Sequence, residues 1–160
     1  MPLAVVRPDD WNFPLLLHVL GAMVLVGAIV TVVALLVLAW RGDAPDTARL
    51  TRLAFRTLLL VALPAWAVMR ITGQWTASEE GFGDEGAEDP DWLGIGFIVG
   101  DLTLPLLIIA VVLAGLAARR SARTEGGGGS PTLARIALVL SAVLLVAYLV
   151  AVWAMTTKPS

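Results

Sequence analysis

Cysteine is absent from this chain of 160 residues, and histidine, lysine and tyrosine occur once each, as His18, Lys158 and Tyr148. The lack of thiols excludes disulfides, thiolate metal centres, iron–sulfur clusters and cysteine nucleophiles together. Charge is scarce: 15% of the residues are Asp, Glu, Lys or Arg, against about 25% in a soluble domain. A net charge of −2 supplies no basic field for a polyanion, so no nucleic-acid partner is expected. Also missing are a Walker loop, a Gly-x-Ser-x-Gly elbow, a His-Glu-x-x-His pair, a Rossmann fingerprint and any His/Ser/Asp set at hydrolase spacing. These absences argue against an enzyme. Asp9 and Asp10 stand where a signal peptide is basic, and the first apolar run is too long for a signal core, so no cleavable signal is expected.

What the chain does have is apolar residues, 58% of the total. A helix needs about 20 of them in a row, at about 1.5 Å rise each, to cross a bilayer. Four segments meet that length, at about 14–40, 53–75, 92–118 and 132–156. Short connections favour antiparallel neighbours, so the expected fold is all-α: one integral membrane domain, a four-transmembrane-helix up-and-down bundle. Pro14 and Pro131 lie near helix starts, with Ser130 as an N-cap. Gly126 to Ser130 reads as a flexible linker within the Gly-rich loop 119–131.

The connections differ in charge. Arg41, Arg49, Arg52 and Arg56 surround the first, and Arg119, Arg120, Arg123 and Arg135 surround the third. The second, 76–91, has no basic residue and seven acids: Glu79, Glu80, Asp84, Glu85, Glu88, Asp89 and Asp91. Arginine-flanked loops stay in the cytoplasm, so both termini and the acidic loop are expected outside. Trp11, Trp75, Trp92 and Trp153 then mark the outer interface and Trp40 the inner one. Ten of the eleven basic residues are Arg, a composition of GC-rich bacterial genomes. The expected location is therefore a bacterial cytoplasmic (inner) membrane, with the lipid bilayer as partner.

Polar side chains inside a bilayer need a partner or a purpose. Each span contributes one: His18, Arg70, Asp101 and Tyr148. At helical rise they lie about 10, 7, 13 and 7 Å below the outer tryptophans, so all four share the outer half. Helical spacing places Pro14, His18, Gly21, Leu25 and Ala28 on one stripe, and Leu59, Leu63, Trp66, Arg70 and Gly73 on a second. Gly94, Asp101, Pro105 and Ile108 share a third, and Ala137, Ser141, Leu144, Tyr148 and Ala151 a fourth. The expectation is a buried polar cluster of His18, Arg70, Asp101 and Tyr148 at the bundle axis, with an Arg70–Asp101 pair and a kink at Pro105. His18 is either a hydrogen-bonded packing residue, a haem or metal ligand, or a proton carrier. Met23, Met69 and Met155 offer a soft second ligand. Gly96-x-x-x-Gly100 allows close helix approach, within the bundle or between two copies in a homo-oligomer.

Leu16-Leu17-His18-Val19-Leu20-Gly21 with Gly27, and Ile71-Thr72-Gly73, resemble the first two helices of small bacterial integral membrane proteins without an assigned activity. These carry a Leu-His-x-x-Gly start and a later Thr-Gly pair. The group looks distantly related to the membrane parts of CopD-type copper proteins and HemJ-type protoporphyrinogen oxidases. In haem-binding relatives a first-helix histidine is a ligand, which the resemblance transfers to His18. The buried lysine of HemJ-type proteins has no counterpart, since Lys158 lies at the tail. The expectation is a non-enzymatic structural or accessory membrane component. A haem- or copper-binding redox protein and a small oligomeric transporter or proton-linked carrier are the alternatives.

Overall fold

The computed structural model describes residues 9–42, 44–81, 91–123 and 131–157. The linker Gly126 to Ser130, most of the acidic loop and the side chains of Trp11 and Trp92 lie outside the described residues. Among the described residues there is no strand. Helix α1 spans Asp9–Arg41, α2 Ala44–Thr57, α3 Leu63–Glu79, α4 Asp91–Arg123 and α5 Pro131–Thr157. A π-turn, Leu58–Ala62, joins α2 to α3 without a break. The result is four rods, all long and apolar enough to cross a membrane: Asn12–Arg41, Asp46–Glu79, Leu93–Ser121 and Thr132–Thr157.

The π-turn has a local cause. Pro64 has no N–H, and its ring crowds the carbonyl of Leu60, one turn back. A wider turn relieves the clash, and the Leu63 N–H reaches back to the Leu58 carbonyl. Pro105 sits inside α4, which continues as helix on both sides of it. The second rod is longer than its apolar run. Its first turns, Ala44 onward, are amphipathic: Arg49, Arg52 and Arg56 are exposed, while Thr51 and Ala54 are buried. The Thr47 hydroxyl donates to the Ala39 carbonyl at 2.8 Å and ties this start to the end of α1. At the other end α3 passes the expected limit at Trp75 and stops at Gly81, whose φ of 78° is the left-handed conformation that glycine adopts without strain.

Contacts fix which ends meet. Arg135 of α5 lies over the Trp40 ring of α1, 5.4 Å from its centre. Gly115 of α4 abuts the Phe55 ring of α2, where an added Cβ would fall 2.9 Å from Cε2. These contacts gather the arginines of both basic connections at one end. The core runs inward from there through Leu25, Ile29, Val32 and Leu36 of α1, Ala54, Leu58 and Ala62 of the second rod, Leu107, Ala110 and Ala114 of α4, and Ala137 and Leu144 of α5. The buried hydroxyls Thr51, Ser121 and Ser141 each donate to the carbonyl four residues back, at 2.8, 3.0 and 2.8 Å, so these three donors are satisfied within their own helices. The outer faces are the reverse of a soluble surface: Met23, Leu60, Ile71 and Leu102 are all at least 64% exposed. Apolar faces of this extent require an apolar surrounding.

Candidate functional site

At the end opposite the basic connections the rods are not filled in. Helices α3 and α4 make few contacts with each other there, and the space between them, α1 and α5 is a cavity of about 340 Å³. His18, Arg70 and Tyr148 line it, with Met69, Phe97 and Met155. Its remaining wall is largely aliphatic, with Glu80 and Thr76 as the other polar lining residues.

His18 is held firmly. Its Nδ1 lies 2.8 Å from the Met69 carbonyl oxygen. A carbonyl can only accept, so Nδ1 carries the proton. Two glycines make this possible. A Cβ at Gly73 would fall 2.7 Å from Nδ1, and a Cβ at Gly21 would fall 3.0 Å from the Met69 backbone nitrogen. The Leu-His-x-x-Gly and Thr-Gly segments therefore meet as one crossing of α1 on α3. With Nδ1 protonated, the neutral ring leaves a lone pair on Nε2. Among the described residues Nε2 has no hydrogen-bond partner, and it is not fully buried.

Arg70 pairs with Asp101 as expected, with Nε and Nη2 both 2.9 Å from Oδ1. Its guanidinium also lies over the Phe97 ring at 5.1 Å, a cation–π contact. The third nitrogen, Nη1, is sealed and has no partner. Gly100 stands beside the arginine stem, where a Cβ would come within 3.5 Å of Cδ. The Gly100 carbonyl accepts from Trp66 Nε1 and from the Thr103 hydroxyl, both at 3.2 Å. Tyr148 is buried, and Thr103 lies beside its hydroxyl. The Thr103 hydroxyl donates to Gly100 instead, and Tyr148 Oη is left without a partner of hydrogen-bonding geometry.

The expected cluster is corrected at Asp101. Its side chain is 63% exposed and does not line the cavity. The inward stripe of α4 is Leu93, Gly100, Thr103, Leu107, Ala110 and Ala114. Asp101 is one residue, about 100° of helix, from it. Asp101, Pro105 and Ile108 therefore share an outward face. Arg70 reaches out to the carboxylate, so the pair bridges two helices at the bundle's flank. Gly96 and Gly100 also face inward. A Cβ at Gly96 would collide with Met155 Cε, and Gly100 is buried against Arg70. The close approaches of both glycines, to Met155 and to Arg70, are made within the chain.

The fit of the implied cofactors can be tested on this geometry. A ring held by an Nδ1–H···O=C bond with a free Nε2 is how a metal-bound histidine is set up, and Met69 and Met155 line the same space. A cavity of about 150 Å³ holds one benzene ring, so the four rings of a porphyrin need roughly 600 Å³. At about 340 Å³ the cavity would enclose only part of a haem. Among the described residues no group of three His, Asp or Glu side chains is placed to hold a metal ion. The cavity itself had no signal in the sequence beyond the glycines that line it. Comparison with protein-family models, curated proteins and solved structures finds no match to this chain.

Proposed function

We propose that this chain is a non-enzymatic, multi-pass component of a bacterial cytoplasmic membrane that binds a small lipid-soluble molecule. Its four rods form an up-and-down transmembrane bundle with both termini outside, and the cavity lies in the outer half. The observation that carries the reading is the cavity. It is an apolar hollow of about 340 Å³ with a few polar groups at fixed positions, which is how small-molecule sites are built. Supporting the orientation are the eight arginines around the two connections at the opposite end.

Two experiments test it. Because the chain lacks cysteine, single cysteines report topology directly. Ser78→Cys is expected to react with an impermeant maleimide on intact cells, and Thr132→Cys only after permeabilisation; the reverse pattern inverts the orientation. For the ligand, organic extracts of the purified protein are compared with those of Ala22→Phe, whose ring would fill the cavity. A small molecule present in the first and lost from the second is expected. Identical extracts would remove the ligand-binding role and leave a purely structural one.

The free Nε2 of His18 favours a second reading, a haem- or copper-binding redox protein. A visible spectrum of protein made with ample haem, oxidised and then reduced with dithionite, separates the two. A Soret band lost in His18→Ala establishes the haem reading; a featureless spectrum leaves the cavity to a smaller ligand.

A further inference from the structure

The polar atoms around the cavity restrict the chemistry of what it holds, and this inference rests on the cavity being a binding site. An anionic head is poorly served. The guanidinium of Arg70 gives Nε and Nη2 to Asp101, and its Nη1 is sealed. The hydroxyl of Tyr148 is sealed as well. The hydroxyls of Thr72, Thr76 and Thr103 donate to backbone carbonyls of their own helices. Among the described residues, the polar atom in the wall that is neither paired nor sealed is His18 Nε2, and with Nδ1 donating to Met69 it can only accept in the neutral ring.

A ligand that matches this wall is apolar, uncharged and carries one hydrogen-bond donor. The volume sets its size. On the scale of about 150 Å³ for one benzene ring, a cavity of about 340 Å³ takes two fused rings, or one ring and a short alkyl branch. We propose that the cavity binds a neutral, lipid-soluble phenol or hydroquinone whose O–H donates to His18 Nε2. The ring lies among Leu25, Val26, Val99 and Val152. An acceptor-only relative of the same shape, such as an aryl ether or the oxidised quinone, finds a lone pair facing its own and binds more weakly.

The single histidine makes the test specific. Protein labelled with ¹⁵N-histidine, in detergent micelles, is titrated with 1-naphthol and separately with its methyl ether, 1-methoxynaphthalene. The two differ by the donor and have closely similar bodies. The expected result is a shift of the unprotonated ring nitrogen by 1-naphthol but not by the ether, with naphthol bound about tenfold tighter, the worth of one hydrogen bond in an apolar site. In His18→Phe the ratio is expected to fall to about one with ether binding retained, again the loss of that single bond. Equal binding of both compounds by the unaltered protein overturns the donor requirement and leaves the cavity reading standing. Binding of neither overturns the cavity reading too. A naphthol preference that persists in His18→Phe overturns the assignment to His18. Should that variant not fold, the nitrogen shift in the unaltered protein decides alone.

Discussion

At the basic end, Ala54, Ala110, Ala114 and Ala137 draw the helices together around Leu58, Leu107 and Leu144, all buried. At the opposite end three of the four rods carry glycine, at 21, 73, 96 and 100, yet α3 and α4 part around a hollow. Small residues do not by themselves close a bundle. Alanine and Gly115 at the basic end admit a neighbour's large side chain, as the Phe55 ring over Gly115 demonstrates. Gly73 and Gly96 instead admit His18 and Met155, side chains that line the space without filling it. In lipid no hydrophobic force drives helices together, so packing contacts and hydrogen bonds decide where they touch. An end built from backbone crossings and one hydrogen-bonded ring can stay open beside an end built from interlocked side chains.

This contrast can be broken or sharpened by substitution. The largest effect is expected at the α1–α3 crossing, where the hollow end is tightest. Gly73→Val forces carbon into the His18 ring and is expected to lower unfolding stability in detergent by about 3 kcal/mol, as over-packing does. If Gly73→Val unfolds like the parent, the crossing is slack and the hollow end has no rigid wall. Next comes a paired truncation and filling. Leu107→Ala in the filled half is expected to lose about 2 kcal/mol, and Ala22→Leu at the cavity to change stability by no more than about 1 kcal/mol in either direction. Equal losses in the two would mean that the cavity is closed in the membrane.

Asp101 offers an intermediate test. A double-mutant cycle of Arg70→Gln with Asp101→Asn, read by thermal unfolding, is expected to give a coupling of about 1–2 kcal/mol, typical of a charge-assisted hydrogen bond. No coupling would show that Arg70 turns to headgroups instead. The smallest effect is expected at Gly94, where an added Cβ meets nothing within 4 Å. Gly94→Ala should leave the midpoint of thermal unfolding within error, a change below about 0.5 kcal/mol. A large loss there would mean that another surface covers α4.

The four rods were legible because a run of about 20 apolar residues has few other uses. The Arg70–Asp101 pair was legible because two opposite charges at similar depth in apolar helices seek each other. The inward stripes of α1 and α5 were read correctly through His18, Gly21 and Leu25 and through Ser141, Leu144 and Tyr148. The stripe of α4 was not, nor was the start of the second rod's stripe, where Leu59 is exposed and Leu58 and Ala62 are buried. Gly94-Asp101-Pro105-Ile108 and Gly100-Thr103-Leu107-Ala110 both have helical spacing. In a helix apolar all round, periodicity cannot choose between neighbouring faces. The polarity of Asp101 pointed inward, whereas a long arginine was able to reach it on the flank.

Sequence by itself determined the number of membrane-length helices, their charge asymmetry and the one histidine on the packed face of α1, since each follows from composition along a single rod. Tertiary structure alone decided that His18 gives its Nδ1 proton to Met69, that Gly73 makes room for it, that Asp101 faces outward and that a cavity separates α3 from α4. Those features depend on the distance and rotation between rods. Both are set by which side chains interlock, a property of pairs of helices that no single helix encodes.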